Sequence, residues 1–152
     1  QGYTTLEYLA AAILDMDLHT RPEGVGDIAA FEREALARIG DMPKEIVLRH
    51  RPPHFDHLFG SDSYSAGYYS YLWSDVMAAD AWQTFVDAGP WDEAANARLR
   101  RHILSDGNSI DRAEAYRRFR GRDPDVQALL EARGFADTAA PSSAAAASAA
   151  ND

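Results

Sequence analysis

One stretch, His54 to Asp80, restricts this chain more than any other: HFDHLFGSDSYSAGYYSYLWSDVMAAD. From Ala66 onward its only helix breaker before Gly89 is Gly67, so the pattern predicts a loop running into a long helix that ends near Gly89. Four of the chain's seven tyrosines lie between Tyr64 and Tyr71, directly after two histidines and a loop of Gly, Ser and Asp. Residues four and then three apart share one face of a helix, so Tyr64, Tyr68 and Tyr71 line one side if the helix begins near Tyr64. Tyr69, Leu72 and Val76 make a second stripe, where apolar packing is expected. A tyrosine stripe is ordinarily core, because the ring buries much area and the hydroxyl needs only one partner. Here the stripe follows a small polar loop and a histidine, so several hydrogen-bond donors converge on a cleft. Phenols and imidazoles stabilise the oxygen of a tetrahedral intermediate when they point where charge develops.

The rest of the chain reads as helices separated by breakers. From Thr4 or Thr5 to His19, Leu6, Leu9, Ala10, Ile13, Leu14 and Leu18 recur at helical spacing behind a threonine cap. Arg21 to Gly26 breaks that helix, and Asp27 caps a second, Ile28 to Ile39, which Gly40 is placed to end. Its apolar side is Ile28, Phe31, Leu36 and Ile39. Lys44 to His50 fits one helical turn or an extended segment. Pro52-Pro53 stiffens the approach to the tyrosine block. Beyond Gly89-Pro90, Asp92 or a neighbour caps a helix to about Leu104, with Ala95, Leu99, His102 and Ile103 as its buried side. Asp111 with Glu114 resembles a capping box opening a helix through Phe119. Asp123-Pro124 is an N-cap followed by proline at the first helical position, with a helix to Arg133 before Gly134. The arginines 112, 117, 118, 120 and 122 read as a solvated face. The Ala/Ser-rich residues 138–152 have only methyl groups to bury and are expected to be a disordered tail behind a helical portion, residues 1–137. No segment alternates as a strand does and no internal repeat is visible, so the expected fold is all-α.

Composition excludes several functions. With 24 acidic against 15 basic residues the formal charge is −9, which disfavours nucleic-acid and anionic-membrane surfaces. The chain has no cysteine, which rules out disulfides, thiol catalysis and Cys-ligated zinc and is compatible with a reducing, cytoplasmic compartment. No apolar run approaches the roughly 20 residues that span a bilayer. The histidines at 50, 54 and 57 sit close together, but their spacing across two prolines is not a zinc pattern, and no metal ligand is assigned in this chain. Asp106, Asn108 and Asp111 lack the spacing and closing Glu of an EF-hand.

The block His57-Leu58-Phe59-Gly60, then Ser-Asp-Ser-Tyr64-Ser-Ala-Gly-Tyr68-Tyr69-Ser-Tyr71-Leu72-Trp73, resembles the C-terminal part of a zinc peptidase family that contains thimet oligopeptidase, bacterial oligopeptidase A and peptidyl-dipeptidase Dcp. Gly2-Tyr3, Leu14-Asp15-Met16, Ile103-Leu104-Ser105, Gly107-Asn108-Ser109, Phe119-Arg120-Gly121-Arg122 and Leu129-Leu130 resemble further family blocks in the right order, so the likeness runs from Gly2 to Phe135. Gly67 before the tyrosine pair is similar to the oligopeptidase A and Dcp branch.

The resemblance implies the C-terminal portion of a larger α-helical, monomeric metallopeptidase acting on short peptides, as an oligopeptidase or a peptidyl-dipeptidase. It implies that Tyr71 donates to the oxyanion, that Tyr64 closes a mobile loop onto substrate, and that His57 contacts substrate backbone. Tyr68 is a weaker candidate for the same wall, and Gly60 opens the loop. The loop departs from the family, which usually has Gly-Gly before its tyrosine where this chain reads Gly60-Ser61-Asp62-Ser63. The family's zinc sits on a His-Glu-x-x-His helix and a further Glu, upstream of the matched region. This chain contains no His-Glu-x-x-His, so the expectation is a substrate wall without the metal centre, inactive alone and completed by the missing N-terminal part of the enzyme. The alternative is a non-catalytic, acidic helical binding module.

Overall fold

The structure is a computed structural model that describes residues 1–39, 45 and 47–135. All its regular elements among these residues are helical: α1 (Gly2–His19), α2 (Ile28–Arg38), α3 (Asp56–Phe59), α4 (Ser70–Ala88), α5 (Glu93–Leu99), α6 (Arg112–Arg120) and α7 (Gln127–Ala132), with short 3-10 turns at Pro52–His54 and Asp62–Tyr64. The all-α expectation is met. Gly40, Lys44, Ile46 and the tail from residue 138 lie outside the described residues; the described part of the Lys44 to His50 segment, residues 45 and 47–50, holds no helix. No described helix is long and apolar enough to cross a membrane. The chain divides into two compact units, Gln1–Ser74 and Asp75 onward.

In the first unit, α1 begins earlier than its threonines suggest. The Thr5 N–H already donates to the Gln1 carbonyl at 3.0 Å, so helical bonding starts at Gln1 and neither threonine is the N-cap. Asp27 caps α2 as expected, accepting from the Ala30 N–H at 3.0 Å. Ala10 and Leu14 of α1 pack with Phe31 and Ala35 of α2 and with Leu48. The neighbouring face of α1, Ala11 and Ala12, packs with Phe55, Leu58 and Tyr68. Small alanines let the tyrosine-bearing segment approach α1 closely, while Ile13, expected inside, is 43% exposed.

In the second unit, Phe85, Ala95 and Phe119 form the core, with Ala81, Leu99 and Ile103 against it. Gly89 ends α4 at φ +100°, a conformation that favours glycine. Asp92 and Asp111 act as N-caps, accepting from the Ala95 and Glu114 N–H groups at 2.7 and 2.9 Å. The helix expected to reach Leu104 is α-helical to Leu99 and continues as a π-helical turn, Arg100–Ser105. Two expectations fail here. Asp123 does not cap the last helix, because its carboxylate accepts from Arg117 at 2.9 Å; α7 starts later, at Gln127, where the Asp125 side chain accepts the Gln127 N–H. Nor are all the arginines a solvated face. Arg120 and Arg122 reach Asp80, a carboxylate only 1% exposed on α4.

Candidate functional site

The tyrosines do come together, but not by the helical spacing that suggested it. α4 begins only at Ser70, so Tyr71 alone of the three lies on it. Tyr64 closes a 3-10 turn, where the Ser61 side chain accepts the Ser63 N–H. Between them the chain reverses: the Gly67 N–H donates to the Tyr64 carbonyl at 2.9 Å, and the Ser70 N–H to the Gly67 carbonyl at 3.0 Å. Ala66 carries this turn at φ +55°. A left-handed conformation at a residue with a Cβ costs about 1–3 kcal/mol and persists only where its surroundings hold it.

His57, on the short α3, is the hub. Its Nε2 lies 2.9 Å from the Tyr71 hydroxyl. The Tyr64 ring sits over the imidazole with centroids 4.0 Å apart, and Tyr64 and Tyr71 are parallel, 7° between planes at 6.3 Å. Tyr68 closes the cluster from beneath. It is 8% exposed, stacks on Tyr8 at 5.2 Å and meets Phe55 and Tyr71 edge-on at 5.1 and 5.4 Å. Tyr64 and Tyr71 remain open to solvent at 37% and 40%. Tyr69, expected in an apolar stripe with Leu72 and Val76, is 47% exposed while Val76 is buried.

The chemistry available is neutral hydrogen-bond donation. Hydrogen bonding with Tyr64, then burial, then the neighbouring phenols of Tyr64 and Tyr68 hold the Tyr71 phenol above its ordinary value, so it keeps its proton at neutral pH and beyond. With the imidazole protonated at Nε2, His57 donates to the Tyr71 oxygen, and the phenol proton, shared with Tyr64, can turn to a substrate oxygen. Gly60 does not join the ring cluster. It ends α3, its N–H donates to the Asp56 carbonyl at 2.6 Å, and a Cβ there would lie 2.9 Å from that oxygen. Any side chain at Gly60 therefore shifts the start of the loop.

Three residues outside the predicted set hold the site from α1. The Asp15 carboxylate accepts the backbone N–H groups of Ala66 and Tyr68, each at 3.0 Å. The Tyr8 hydroxyl donates to the Tyr68 carbonyl. The His19 Nδ1 lies 2.8 Å from Asp15 Oδ1, and its ring stacks on Phe59 at 5.8 Å. The sequence signal was an aspartate between Leu14 and Met16, inside an apolar helix and four residues before a histidine. Among the described residues no three of His, Cys, Asp or Glu are grouped to hold a metal ion, so the residues present do not fit a zinc site.

Residues 1–135 match the family model described as peptidase family M3. The chain is 42% identical over 138 residues to the dipeptidyl carboxypeptidase of Escherichia coli and 40% identical over 138 residues to that of Salmonella typhimurium; each match covers 89% of this chain and 20% of the relative. It is 36% identical over 132 residues to oligopeptidase A of Escherichia coli, covering 86% of this chain and 19% of the relative. The chain thus spans about a fifth of the length of these curated relatives.

Proposed function

The chain belongs to peptidase family M3, and on that premise we propose that it forms the substrate-side wall of a zinc metallopeptidase that hydrolyses short peptides. Tyr71 is the donor to the oxyanion of the tetrahedral intermediate, His57 orients it and contacts substrate backbone, and Tyr64 closes the loop over the bound peptide. Tyr68 supports Tyr71 from behind, and Gly60 lets the loop leave α3. The observation that carries this reading is the 2.9 Å contact between His57 Nε2 and the Tyr71 hydroxyl, under the stacked Tyr64 ring. It leaves two phenols, Tyr64 and Tyr71, facing solvent. A zinc ion would supply the activated water, and the described residues offer no group to hold it.

The names of the relatives, dipeptidyl carboxypeptidase and oligopeptidase A, support short peptides as the substrate class. In the complete peptidase, Tyr71→Phe is expected to lower kcat about a hundredfold, the usual effect of losing one oxyanion donor, with KM nearly unchanged. Zinc content should equal that of wild type. Wild-type kcat in the variant would remove Tyr71 from the mechanism. Because the Tyr71 phenol is held above its ordinary value, an alkaline fall in activity well below pH 10 belongs to another group and should persist in the variant.

A further inference from the structure

Asp15 is the most completely buried carboxylate in the first unit, 0% exposed. A charge sealed from water survives only if its oxygens are fully satisfied. Asp15 Oδ1 accepts the Ala66 N–H and lies 2.8 Å from His19 Nδ1, and Oδ2 accepts the Tyr68 N–H. Two amides two residues apart, aimed at a single anion, occur where the intervening backbone curls into a concave nest, and a left-handed residue is a usual part of it. Ala66 is that residue, with φ +55°. Cause and effect are therefore readable: the Asp15 charge holds Ala66 in a conformation that it otherwise avoids, and that turn sets Tyr64 on one side of the reversal and Tyr68 and Tyr71 on the other. The Tyr8 hydroxyl fixes the Tyr68 carbonyl from the same helix.

We infer that Asp15 is a positioning residue for the peptidase, a buried anion on α1 that sets the tyrosine wall through its backbone without touching substrate. This rests on the reading of Tyr71 as the oxyanion donor. Asp15→Asn keeps the shape of the side chain but turns one acceptor into an NH2 group, which faces an N–H it cannot accept from. The turn then loses one of its two anchors, and misplacement of a catalytic group by about 1 Å is enough to cost about a hundredfold in rate.

The test uses the complete peptidase, with amide hydrogen exchange resolved at Ala66 and Tyr68 and with kcat and KM per zinc-loaded enzyme. Asp15→Asn should speed exchange at both amides and lower kcat at least tenfold, with KM changing less than threefold. Because Asp15 acts through Tyr71, the double variant Asp15→Asn/Tyr71→Phe should be little slower than Tyr71→Phe alone. Unchanged exchange at Ala66 and Tyr68, wild-type kcat per folded molecule, or fully multiplicative losses in the double variant would each overturn the inference. Faster exchange together with wild-type turnover in Tyr71→Phe overturns the reading of Tyr71 and leaves the anchor at Asp15 standing. Should Asp15→Asn fail to fold, wild-type exchange decides: Ala66 and Tyr68 amides as slow as those of the α1 core support the anchor, and solvent-fast exchange at both refutes it.

Discussion

Asp15 in the first unit and Asp80 in the second are both sealed from water, 0% and 1% exposed, yet they are neutralised by different groups. Asp15 draws on two backbone amides and a histidine, while Asp80 draws on Arg122 at 2.5 Å, Arg120 at 3.5 Å and the Tyr116 hydroxyl at 2.6 Å. Amide dipoles belong to the main chain, so an anion that binds them dictates backbone conformation, here the turn beneath the tyrosines. Guanidinium and phenol groups end long side chains, so an anion that binds them joins elements, here α4 to α6 and the segment after it. One buried charge shapes a site; the other fastens a fold.

The comparison sharpens first on stability. Asp80→Ala leaves the half-buried Arg120 without its counter-charge and Tyr116 without its carboxylate acceptor. Removing one partner of a buried ion pair typically costs about 3–5 kcal/mol, so urea unfolding of the chain should show a loss of that order. A loss below about 1 kcal/mol would mean that Asp80 is better solvated than its burial implies.

Next comes pH. Burial pushes the Asp80 carboxyl up, but the Tyr116 and Arg122 hydrogen bonds and the charges of Arg120 and Arg122 outweigh it and hold it below its ordinary value. A carboxyl lowered by folding contributes stability in full above the unfolded value near about pH 4 and loses it as pH falls through the folded one. Tyr116 is the reverse case. Burial first, then the Asp80 hydrogen bond and charge, raise its phenol far above the ordinary value. Its contribution is complete below about pH 10 and is lost above that. The stability of the second unit, followed at Phe119, should therefore fall at both extremes, and Tyr116→Phe should abolish the alkaline loss attributable to this phenol.

The smallest expected effect is at the helix caps. Asp92→Ala removes the acceptor of the Ala95 N–H and should cost about 1 kcal/mol, within a range of about 0.5–2. The same change at Asp27 should cost a similar amount, since both caps use one side chain and one amide. A larger loss at either site would mark a tertiary role that the geometry does not display.

These contrasts also separate what was legible in the sequence from what was not. Asp27, Asp92 and Asp111 were readable as caps because a cap spans three residues of chain. The break at Gly89 and the grouping of His57 with the tyrosines were readable for the same local reason, although the grouping arises from a turn at Ala66 and not from a helix through Tyr64. Asp123 misled because a tertiary partner, Arg117, claims the carboxylate that a local rule assigns to capping. The backbone partners of Asp15 lie 51 and 53 residues away, and the partners of Asp80 at Arg122 and Tyr116 lie 42 and 36 away. No spacing rule reaches that far. An aspartate inside an apolar helix signals that a partner exists without saying which one.

The central claim is that Tyr71, oriented by His57 and held by the turn beneath it, acts on the tetrahedral intermediate more than on the bound peptide. The most direct measurement compares two ligands of the complete peptidase, a substrate-like peptide and a phosphinic peptide whose tetrahedral oxygens mimic the oxyanion, in wild type and Tyr71→Phe. A donor that works in the transition state predicts that the phosphinic peptide loses about a hundredfold in affinity while the peptide loses almost nothing. Equal losses for both ligands would contradict it and make Tyr71 an ordinary contact of the binding cleft.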